Sequence, residues 1–470
     1  MAQRHVRFNV NELARCAAEA VGAKSCISVA KYPDGMYNKS MLFTMDDGCR
    51  VVAKVPNPNA GLPHFTTASE VATMDFARNV LGTPVPNVLA WCSRAEENPV
   101  GAEYIIMERV PGIELEQVWP KMNIKDRFAV FDVNGDHITN ESFAVGSSTS
   151  RETLDDGRAT INFDRGPWDS LEAYHVAIGQ REIACVSQIS DLPKSPITLC
   201  GPGTYQPTRA KKLKALQCYL DMVRYLLPTD QTISSAHLWH DLHVANIFID
   251  PSEPTKVVGL IDWQPTEISP LYFHARQPHI IDYIGPPITG LERPQPPTDV
   301  DKLASSARKY ADTLYLQQSL CSLYNTLTHH QNPRLYAALQ FQHTLKYLLL
   351  VLARNLLVDG EVTYLSQIAE LSASWTDFSA QKDATYPFAF ADKEREVFEA
   401  DVQGVVRGME AMRAIQDSLG PLFPEQGVVG LEQYDEALDA LSQMKEQVIS
   451  TFATTAAERD AWEKAWPFGT

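Results

Sequence analysis

The sequence lacks any closely spaced pair of cysteines. Zinc frameworks and disulfide scaffolds are recognised by short, regular cysteine spacings, so we expect neither in this protein. Reduced thiols in an intracellular compartment are the favoured interpretation. The eight scattered cysteines are Cys16, Cys26, Cys49, Cys92, Cys185, Cys200, Cys218 and Cys321.

Long apolar runs and positive charge are also scarce. The longest apolar run, Tyr347 to Ala353, is far too short to span a bilayer. Lysine and arginine number 41 against 58 acidic residues, a formal charge of −17. This balance argues against nucleic acid or an anionic membrane as a main partner. The one basic cluster, Arg209 to Lys214, opens a predicted amphipathic helix; we expect a solvated face there, with a binding role as the alternative.

A glycine-rich phosphate loop is lacking where one would be most useful. The predicted hairpin from Tyr32 to Ser40 contains a single glycine, Gly35, with Asp34 and Asn38 beside it. Its backbone N–H groups and small polar side chains can cover phosphates. This signal is weaker than a GxGxxG loop, and a plain β-turn is an equal alternative.

A motif for phosphoryl transfer is nevertheless present. Asp241 is followed five positions later by Asn246, and a second apolar run ends at Asp262. Such a site needs a carboxylate to accept or orient the acceptor proton, and amide and carboxylate oxygens for Mg²⁺. We assign the first role to Asp241 and the Mg²⁺ ligands to Asn246 and Asp262. The alternative is that all three are capping or turn residues.

The first 110 residues predict a small α+β unit that covers the nucleotide. Apolar periodicity and turn residues predict a β-meander and two further strands, with two helices. In the second helix we expect Ala68, Val71, Ala72, Phe76, Val80 and Leu81 to face inward. The predicted helices are 10–21 and 66–81, and the predicted strands are 26–30, 41–45, 50–55, 88–91 and 104–107.

Lys54 and Glu70 are the candidate phosphate-positioning pair of this unit. Lys54 comes at the end of a predicted strand, from which its amine can reach the α- and β-phosphates. Glu70 lies one turn into the following helix and can hold Lys54 in place. The alternative for Glu70 is a solvated position on an exposed helix face.

Residues 111–470 form the predicted second lobe, which is mainly helical and contains the catalytic segment 236–264. Residues 123–207 read as irregular because Gly, Pro, Ser and Asp are frequent there. Strands are predicted at 247–249 and 257–261. The predicted helices of this lobe are 209–227, 301–328, 333–358, 393–419 and 431–454.

Three histidines offer a different chemistry. His237, His240 and His243 surround Asp241 and resemble a cluster of zinc ligands. Their spacing on a loop-to-strand segment does not converge naturally, and no further ligand is evident in the sequence. A zinc hydrolase is therefore kept as a third hypothesis.

Together these motifs resemble the aminoglycoside phosphotransferase-like branch of the protein-kinase-like fold, and more closely its fungal group related to Altered inheritance of mitochondria protein 9. The resemblance rests on Asp-x4-Asn, Ile261-Asp262-Trp263-Gln264 and Arg165-Gly166-Pro167-Trp168, with further stretches over nearly the whole chain. It implies a two-lobed α+β fold that binds ATP and Mg²⁺ and phosphorylates a small-molecule acceptor. It also implies a hinge at Glu108 to Val110 whose backbone binds adenine, with Met107 behind it.

The sequence departs from that family pattern at two places. The family histidine two positions before the aspartate is replaced by Trp239, and His240 directly precedes Asp241. The segment Asp126 to Ser150 is shorter than expected. These departures favour a second hypothesis, a nucleotide-binding pseudokinase with a scaffold or regulatory role.

Several properties stay open at this level. The acceptor is an unidentified hydroxyl or amine compound, since a fold does not fix a substrate. The resemblance implies a mitochondrial location, although residues 1–10 lack the features of a presequence or signal peptide, so a cytoplasmic location is the alternative. The oligomeric state is unknown.

Overall fold

The computed structural model describes residues 5–122, 142–264, 266–298, 304–379, 384–423, 429 and 431–468. The chain divides into two compact units. Unit 1 comprises residues 1–154, 165–167 and 228–344, and unit 2 comprises residues 155–164, 168–227 and 345–470. The predicted boundary near residue 110 remains a prediction.

A five-stranded antiparallel sheet forms the first part of unit 1. Its strands are β1 (Cys26–Lys31), β2 (Asn38–Met45), β3 (Arg50–Pro56), β4 (Val88–Cys92) and β5 (Tyr104–Glu108), in the order β1-β2-β3-β5-β4. Successive side chains of a strand point to opposite faces. Val51, Ala53 and Val55 are buried in one core together with Leu13 and Ala17 of helix α1 (Val10–Val21).

The other face of the sheet carries helix α2 (Phe65–Asn79) and the region around Trp263. Ile105 and Met107 of β5 are buried there with Val71 and Met74 of α2. Lys54 belongs to this face, because it alternates with Ala53 and Val55 along β3. The alternation thus sends the aliphatic residues of β3 to one core and its lysine to the other side.

The segment 236–264, predicted to be catalytic, contributes strands to two further sheets of unit 1. Strand β6 (Ile113–Glu114) pairs with β8 (Ile247–Asp250), which pairs with β9 (Glu253–Leu260); β7 (Ala236–Trp239) pairs with β10 (Glu267–Pro270). Gly112 precedes β6 with φ of 92°, and a Cβ atom there would overlap the carbonyl of Ile249. Glycine is therefore required where the chain leaves the first sheet. Among the described residues of unit 1, the α-helices after β6 are Leu115–Val118, Leu271–His274, Ser305–Gln331 and Pro333–Phe341.

Unit 2 is helical wherever the structure describes regular elements in it. Its helices are Leu171–Gln188, Arg209–Leu226, Leu345–Ala353, Glu361–Glu370, Trp375–Ser379, Asp392–Leu419, Tyr434–Phe452 and Ala456–Ala465. Within the described ranges, no helix is both long and apolar enough to cross a membrane. The predicted α+β class is confirmed: a small antiparallel sheet with one key helix precedes a larger, mainly helical part.

Two helix predictions need correction, and a third prediction falls mostly outside the described residues. Residues 171–188, predicted irregular, form a helix whose buried face mixes apolar residues such as Ile178 and Val186 with the polar His175, Arg181 and Glu182. The single helix predicted over 333–358 is two helices separated by residues 342–344. The segment Asp126 to Ser150, predicted to be short, lies mostly outside the described residues.

The inward face predicted for α2 is also wrong. Its buried residues are Thr66, Thr67, Glu70, Val71, Met74 and Ala77, so of the predicted set only Val71 is buried. The face that packs carries Glu70, whose carboxylate contacts Lys54, together with Val71, Met74 and Ala77. One member of a buried ion pair therefore lies on the inward face, which the apolar stripe did not indicate.

The basic cluster of unit 2 is not the solvated face that the sequence predicted. Lys212 is fully buried, and its amine contacts Glu361 at 2.8 Å and the carbonyls of Leu356 and Val358 at 3.0 and 3.2 Å. Lys211 pairs with Asp401, and Lys214 pairs with Glu394. Lys211, Lys212 and Lys214 therefore form ion pairs and hydrogen bonds inside unit 2.

Candidate functional site

The site is centred on the amine of Lys54. Its Nζ atom lies 2.6 Å from Oε1 of Glu70 and 2.7 Å from Oδ1 of Asp262. Lys54 and Glu70 are buried, whereas the side chain of Asp262 is 41% exposed. The structure therefore brings together three of the predicted site residues, and one of the two carboxylates on Lys54 faces solvent.

Electrostatics keep Lys54 charged in this position. Burial lowers the pKa of Lys54, but the carboxylates of Glu70 and Asp262 outweigh it and raise the pKa above its ordinary value. Burial raises the pKa of Glu70, with Lys54 opposing that rise. The alternative of a solvated Glu70 is wrong, because only 5% of the residue is exposed.

The backbone places Asn246 and Asp262 at the same end of the β8–β9 hairpin. Asn246 precedes β8, Asp262 follows β9, and the N–H of Ile261 donates to the carbonyl of Asn246 at 3.0 Å. Asp262 has φ of 60°, a left-handed conformation that aspartate tolerates better than most residues. Trp263 is buried directly after it and donates from Nε1 to the carbonyl of Leu260.

The donor atoms at these two residues suit a hard cation. Nδ2 of Asn246 donates to the carbonyl of Asp241 at 3.3 Å, which leaves the amide oxygen as its available group. Oδ1 of Asp262 is bonded to Lys54, which leaves Oδ2. One amide oxygen and one carboxylate oxygen fit Mg²⁺, which takes few protein ligands and fills its other positions with water and phosphate oxygens.

Asp241 is held by two cationic or potentially cationic groups. Its Oδ1 accepts from Nη2 of Arg276 at 3.0 Å, and its Oδ2 lies 3.2 Å from Nε2 of His243. The guanidinium of Arg276 also lies over the ring of Trp239, 5.5 Å from its centroid. The sequence did not single out Arg276, and no local motif around it indicates this contact.

His240 is placed beneath the loop in an apolar setting. Its ring lies 4.3 Å from that of Trp263, and neither ring nitrogen meets hydrogen-bond geometry. Burial lowers the pKa of His240, although the nearby backbone of Ile261 and Asp262 opposes that shift. Trp239, at the family histidine position, instead stacks on His274 at 5.1 Å.

The three histidines of the zinc hypothesis do not come together as metal ligands. His237 lies on β7, His240 packs on Trp263, and His243 contacts Asp241. Throughout the described ranges, no group of three or more His, Cys, Asp or Glu side chains is placed to hold a metal ion. The three histidines are thus separated by the fold.

The hairpin predicted to cover the phosphates is hydrogen-bonded to Gln264, the residue that follows Trp263. Nδ2 of Asn38 donates to Oε1 of Gln264 at 3.3 Å, and Gln264 itself donates to the carbonyl of Ala60. Gly35 closes the turn by donating to the carbonyl of Asn38. Asp34 pairs with Lys31 and Lys39, and the hydrogen bond from Lys31 lowers its pKa. Asn38 therefore lies near the site, whereas Asp34 is committed to its own hairpin.

The predicted hinge follows β5. Met107 is buried in the core with Ile105 and Trp263. The N–H of Glu108 donates to the carbonyl of Asn87, so it is not available to a ligand. The N–H of Val110 has no hydrogen-bond partner among the described residues. Of the N–H groups of Glu108 and Val110, only that of Val110 is left as a candidate donor to a nucleobase edge.

Comparison with known proteins finds one kind of relative that aligns with nearly the whole chain and another that aligns with only a fifth of it. No family model matches the chain. It is 26% identical over 499 aligned residues to a Subtelomeric hrmA-associated cluster protein of Aspergillus fumigatus, covering 94% of this chain and 97% of the relative. It is 34% identical over 95 residues to Altered inheritance of mitochondria protein 9 of Candida tropicalis, covering 20% of this chain and 15% of that protein.

Among solved structures, the chain is similar to an aminoglycoside phosphotransferase in a ternary complex with ADP and hygromycin B. The identity is 12% and the TM-score 0.35, with 84% of this chain and 98% of that chain covered. A TM-score this low does not assign a fold, so the assignment rests on the elements of this chain. A strand lysine paired with a helix glutamate, an Asp-x4-Asn loop and a strand-end aspartate follow one another as in protein kinases. On these elements, the predicted protein-kinase-like fold is confirmed.

Proposed function

We propose that this protein transfers the terminal phosphate of ATP to a hydroxyl or amine of a small molecule. The observation that carries the proposal is the position of Lys54 between a buried carboxylate, Glu70, and a partly exposed one, Asp262. Glu70 fixes the amine, while the contact with Asp262 can be exchanged for phosphate oxygens. A purely structural ion pair needs no such exposed partner.

Each remaining part has a role in the same reaction. The N–H of Val110 binds the adenine edge, and Lys54 neutralises the α- and β-phosphates. Asn246 and Asp262 hold Mg²⁺, which supplies positive charge against the phosphate oxygens when it is bound. Asp241 orients the acceptor and receives its proton as the acceptor oxygen or nitrogen bonds to phosphorus and ADP departs.

The test is thermal unfolding with ATP, in the presence and absence of Mg²⁺. Ligand at a hundred times its dissociation constant stabilises the folded state by about 2.7 kcal/mol. We expect a Mg²⁺-dependent shift in the wild type that Asp262→Ala abolishes. Asp250→Ala is the matched control, since Asp250 is a half-buried aspartate at the other end of β8, where its carboxylate accepts from Ser252. Absence of any shift in the wild type would overturn the nucleotide site.

A specific observation favours a second candidate, a nucleotide-binding pseudokinase. Both oxygens of Asp241 are engaged, by Arg276 and by His243. If these contacts persist when nucleotide is bound, an acceptor hydroxyl must compete with Arg276 and His243 for the oxygens of Asp241. The two candidates are distinguished by turnover: a pseudokinase binds ATP and shifts in melting temperature, yet phosphorylates no compound in a metabolite panel.

We further propose a mitochondrial location, supported by the partial similarity to Altered inheritance of mitochondria protein 9. The alternative is the cytoplasm. Fractionation of cells that express the full chain with a C-terminal tag distinguishes the two. Recovery of the protein with soluble cytoplasmic markers alone would contradict the proposal.

A further inference from the structure

Arg276 is the structural feature that the proposed reaction does not yet use. Its Nη2 atom donates to Oδ1 of Asp241, the atom that an acceptor hydroxyl would otherwise approach. His243 occupies the second oxygen at 3.2 Å. Each carboxylate oxygen carries two lone pairs, so Asp241 can still accept from an acceptor hydroxyl, but that hydroxyl must share Oδ1 with the guanidinium of Arg276. A ligand group that draws Arg276 away would therefore leave Oδ1 to the acceptor alone.

The chain holds Arg276 firmly at its backbone and on one face of its guanidinium. The carbonyl of Arg276 accepts from the hydroxyl of Tyr324 at 3.3 Å, and the preceding carbonyl of Ala275 accepts from the side chain of Gln342. The guanidinium lies over Trp239. Anchoring of this kind limits how far the guanidinium can move and keeps it beside Asp241.

The rest of the guanidinium is available to a ligand. Arginine carries five N–H donors, and within the described part of the chain the only hydrogen bond of this guanidinium is the one to Asp241. The side chain is 40% exposed. A planar guanidinium stacked on an aromatic ring, with free donors, suits bidentate binding of a carboxylate or phosphate group.

We propose that the acceptor is a hydroxyl or amine compound that also bears an anionic group, and that Arg276 is its specificity-determining residue. The anionic group of the acceptor binds the guanidinium of Arg276 and replaces Asp241 as its hydrogen-bond partner. Oδ1 of Asp241 is then free to accept the proton of the neighbouring hydroxyl. An uncharged compound leaves Arg276 on Asp241 and is a poor acceptor. This inference rests on the proposed function, because Asp241 has the acceptor-orienting role only in a phosphotransferase.

The same anion chemistry could come from the terminal phosphate of ATP. Arg276 contacts Asp241, whereas Lys54 contacts Glu70 and Asp262. No contact of Arg276 with those three residues is present. This separation favours the acceptor as the source of the anion, and the experiment below includes an arm for the nucleotide.

The experiment compares hydroxy acids with their uncharged amides on the full chain. Glycerate and glyceramide form one matched pair, and 3-hydroxybutyrate and 3-hydroxybutyramide form another. Calorimetric titration should give about tenfold tighter binding of at least one acid than of its amide, as a charge-assisted hydrogen bond provides. Arg276→Gln should abolish this preference, Arg276→Lys should retain part of it, and Arg293→Gln, a change at an exposed arginine, should leave it intact.

Two results would overturn the inference. One is equal affinity for acid and amide in both pairs, and the other is an acid preference that survives Arg276→Gln. The nucleotide arm compares the dissociation constants of ATP and ADP in wild type and Arg276→Gln. A selective loss of ATP affinity would assign Arg276 to the terminal phosphate and exclude the acceptor role.

Failure of this inference can be told apart from failure of the proposed function. The acid preference is measured without nucleotide, and the ATP-dependent thermal shift is measured without acceptor. If ATP binds but no acid is preferred over its amide, only the inference about Arg276 is contradicted. If an acid is preferred but ATP does not bind, the proposed phosphotransferase function is contradicted and an anion site at Arg276 remains.

Discussion

Two buried lysines, Lys54 in unit 1 and Lys212 in unit 2, have the same kind of partner but different surroundings. Each contacts a buried glutamate, Glu70 at 2.6 Å and Glu361 at 2.8 Å. The other contacts of Lys212 are backbone carbonyls, and Glu361 also accepts from the hydroxyl of Tyr205 at 2.9 Å. The second carboxylate on Lys54, from Asp262, is partly exposed.

This difference matches the division between a structural ion pair and the pair that we propose to be functional. Around Lys212 the partners are internal, so the charge serves the packing of unit 2. Around Lys54 one partner is open to solvent, where the proposed function requires an exchange for phosphate oxygens. Burial and ion pairing are common to both lysines, so only the exposure of Asp262 distinguishes them.

The largest effect on stability is expected from Lys212→Met. This change leaves Glu361 buried without its cation, and breaking one side of a buried ion pair costs about 3–5 kcal/mol. Urea unfolding followed by tryptophan fluorescence measures the loss. The double variant Lys212→Met/Glu361→Leu should recover most of it, because no buried charge is left. A double variant as unstable as the single one would contradict this account.

The next effect concerns activity rather than stability. Asp262→Asn removes the charge of a proposed metal ligand, and we expect turnover to fall roughly 10²–10³-fold, as for loss of one charge-stabilising group. The free energy of unfolding should hardly change, since the side chain is partly exposed. ATP turnover with an acceptor measures the first and urea unfolding the second. A large loss of unfolding free energy would mean that Asp262, like Lys212, serves mainly to stabilise the fold.

A pH-dependent effect is expected from Lys54→Met. Burial raises the pKa of Glu70, and Lys54 opposes the rise, so removing Lys54 raises that pKa further. Between the pKa values of the unfolded and folded states, the folded variant then holds a proton that the unfolded chain has released. Its stability relative to wild type should therefore decrease as the pH increases, for example from about 5.5 to about 8. Unfolding measured at both pH values checks the sign, and a loss independent of pH would contradict it.

The smallest effect is expected from Tyr205→Phe. The hydroxyl of Tyr205 donates to Oε1 of Glu361, while Lys212 remains on Oε2. Removing one hydrogen bond of a group that keeps its cation should cost about 1 kcal/mol in unfolding free energy. Nucleotide binding should be unaffected. A loss as large as that of Lys212→Met would mean that the hydroxyl, not the cation, stabilises Glu361.

Local sequence patterns predicted most of the elements around the site. The helix over 10–21, the meander strands and the β8–β9 hairpin follow from residue alternation and turn residues between neighbours in the chain. Asp241, Asn246 and Asp262 were found because their spacing within one segment is itself a motif. Such features depend on residues close in sequence, which a single chain displays directly.

Contacts between distant parts of the chain were decided only by the tertiary structure. Asp262 meets Lys54 across 208 positions, and Arg276 meets Asp241 across 35, with no local signal for either contact. The burial of Lys212 was likewise hidden, because a charged residue reads as solvated until its partner is known. For Glu70 the sequence predicted the pairing with Lys54 but not the face of α2 that is buried with it. The sequence alone thus determined which chemical groups are available and on which elements they lie. The tertiary structure determined which charges meet and which of them stay open to solvent, because burial and pairing are properties of the assembled chain.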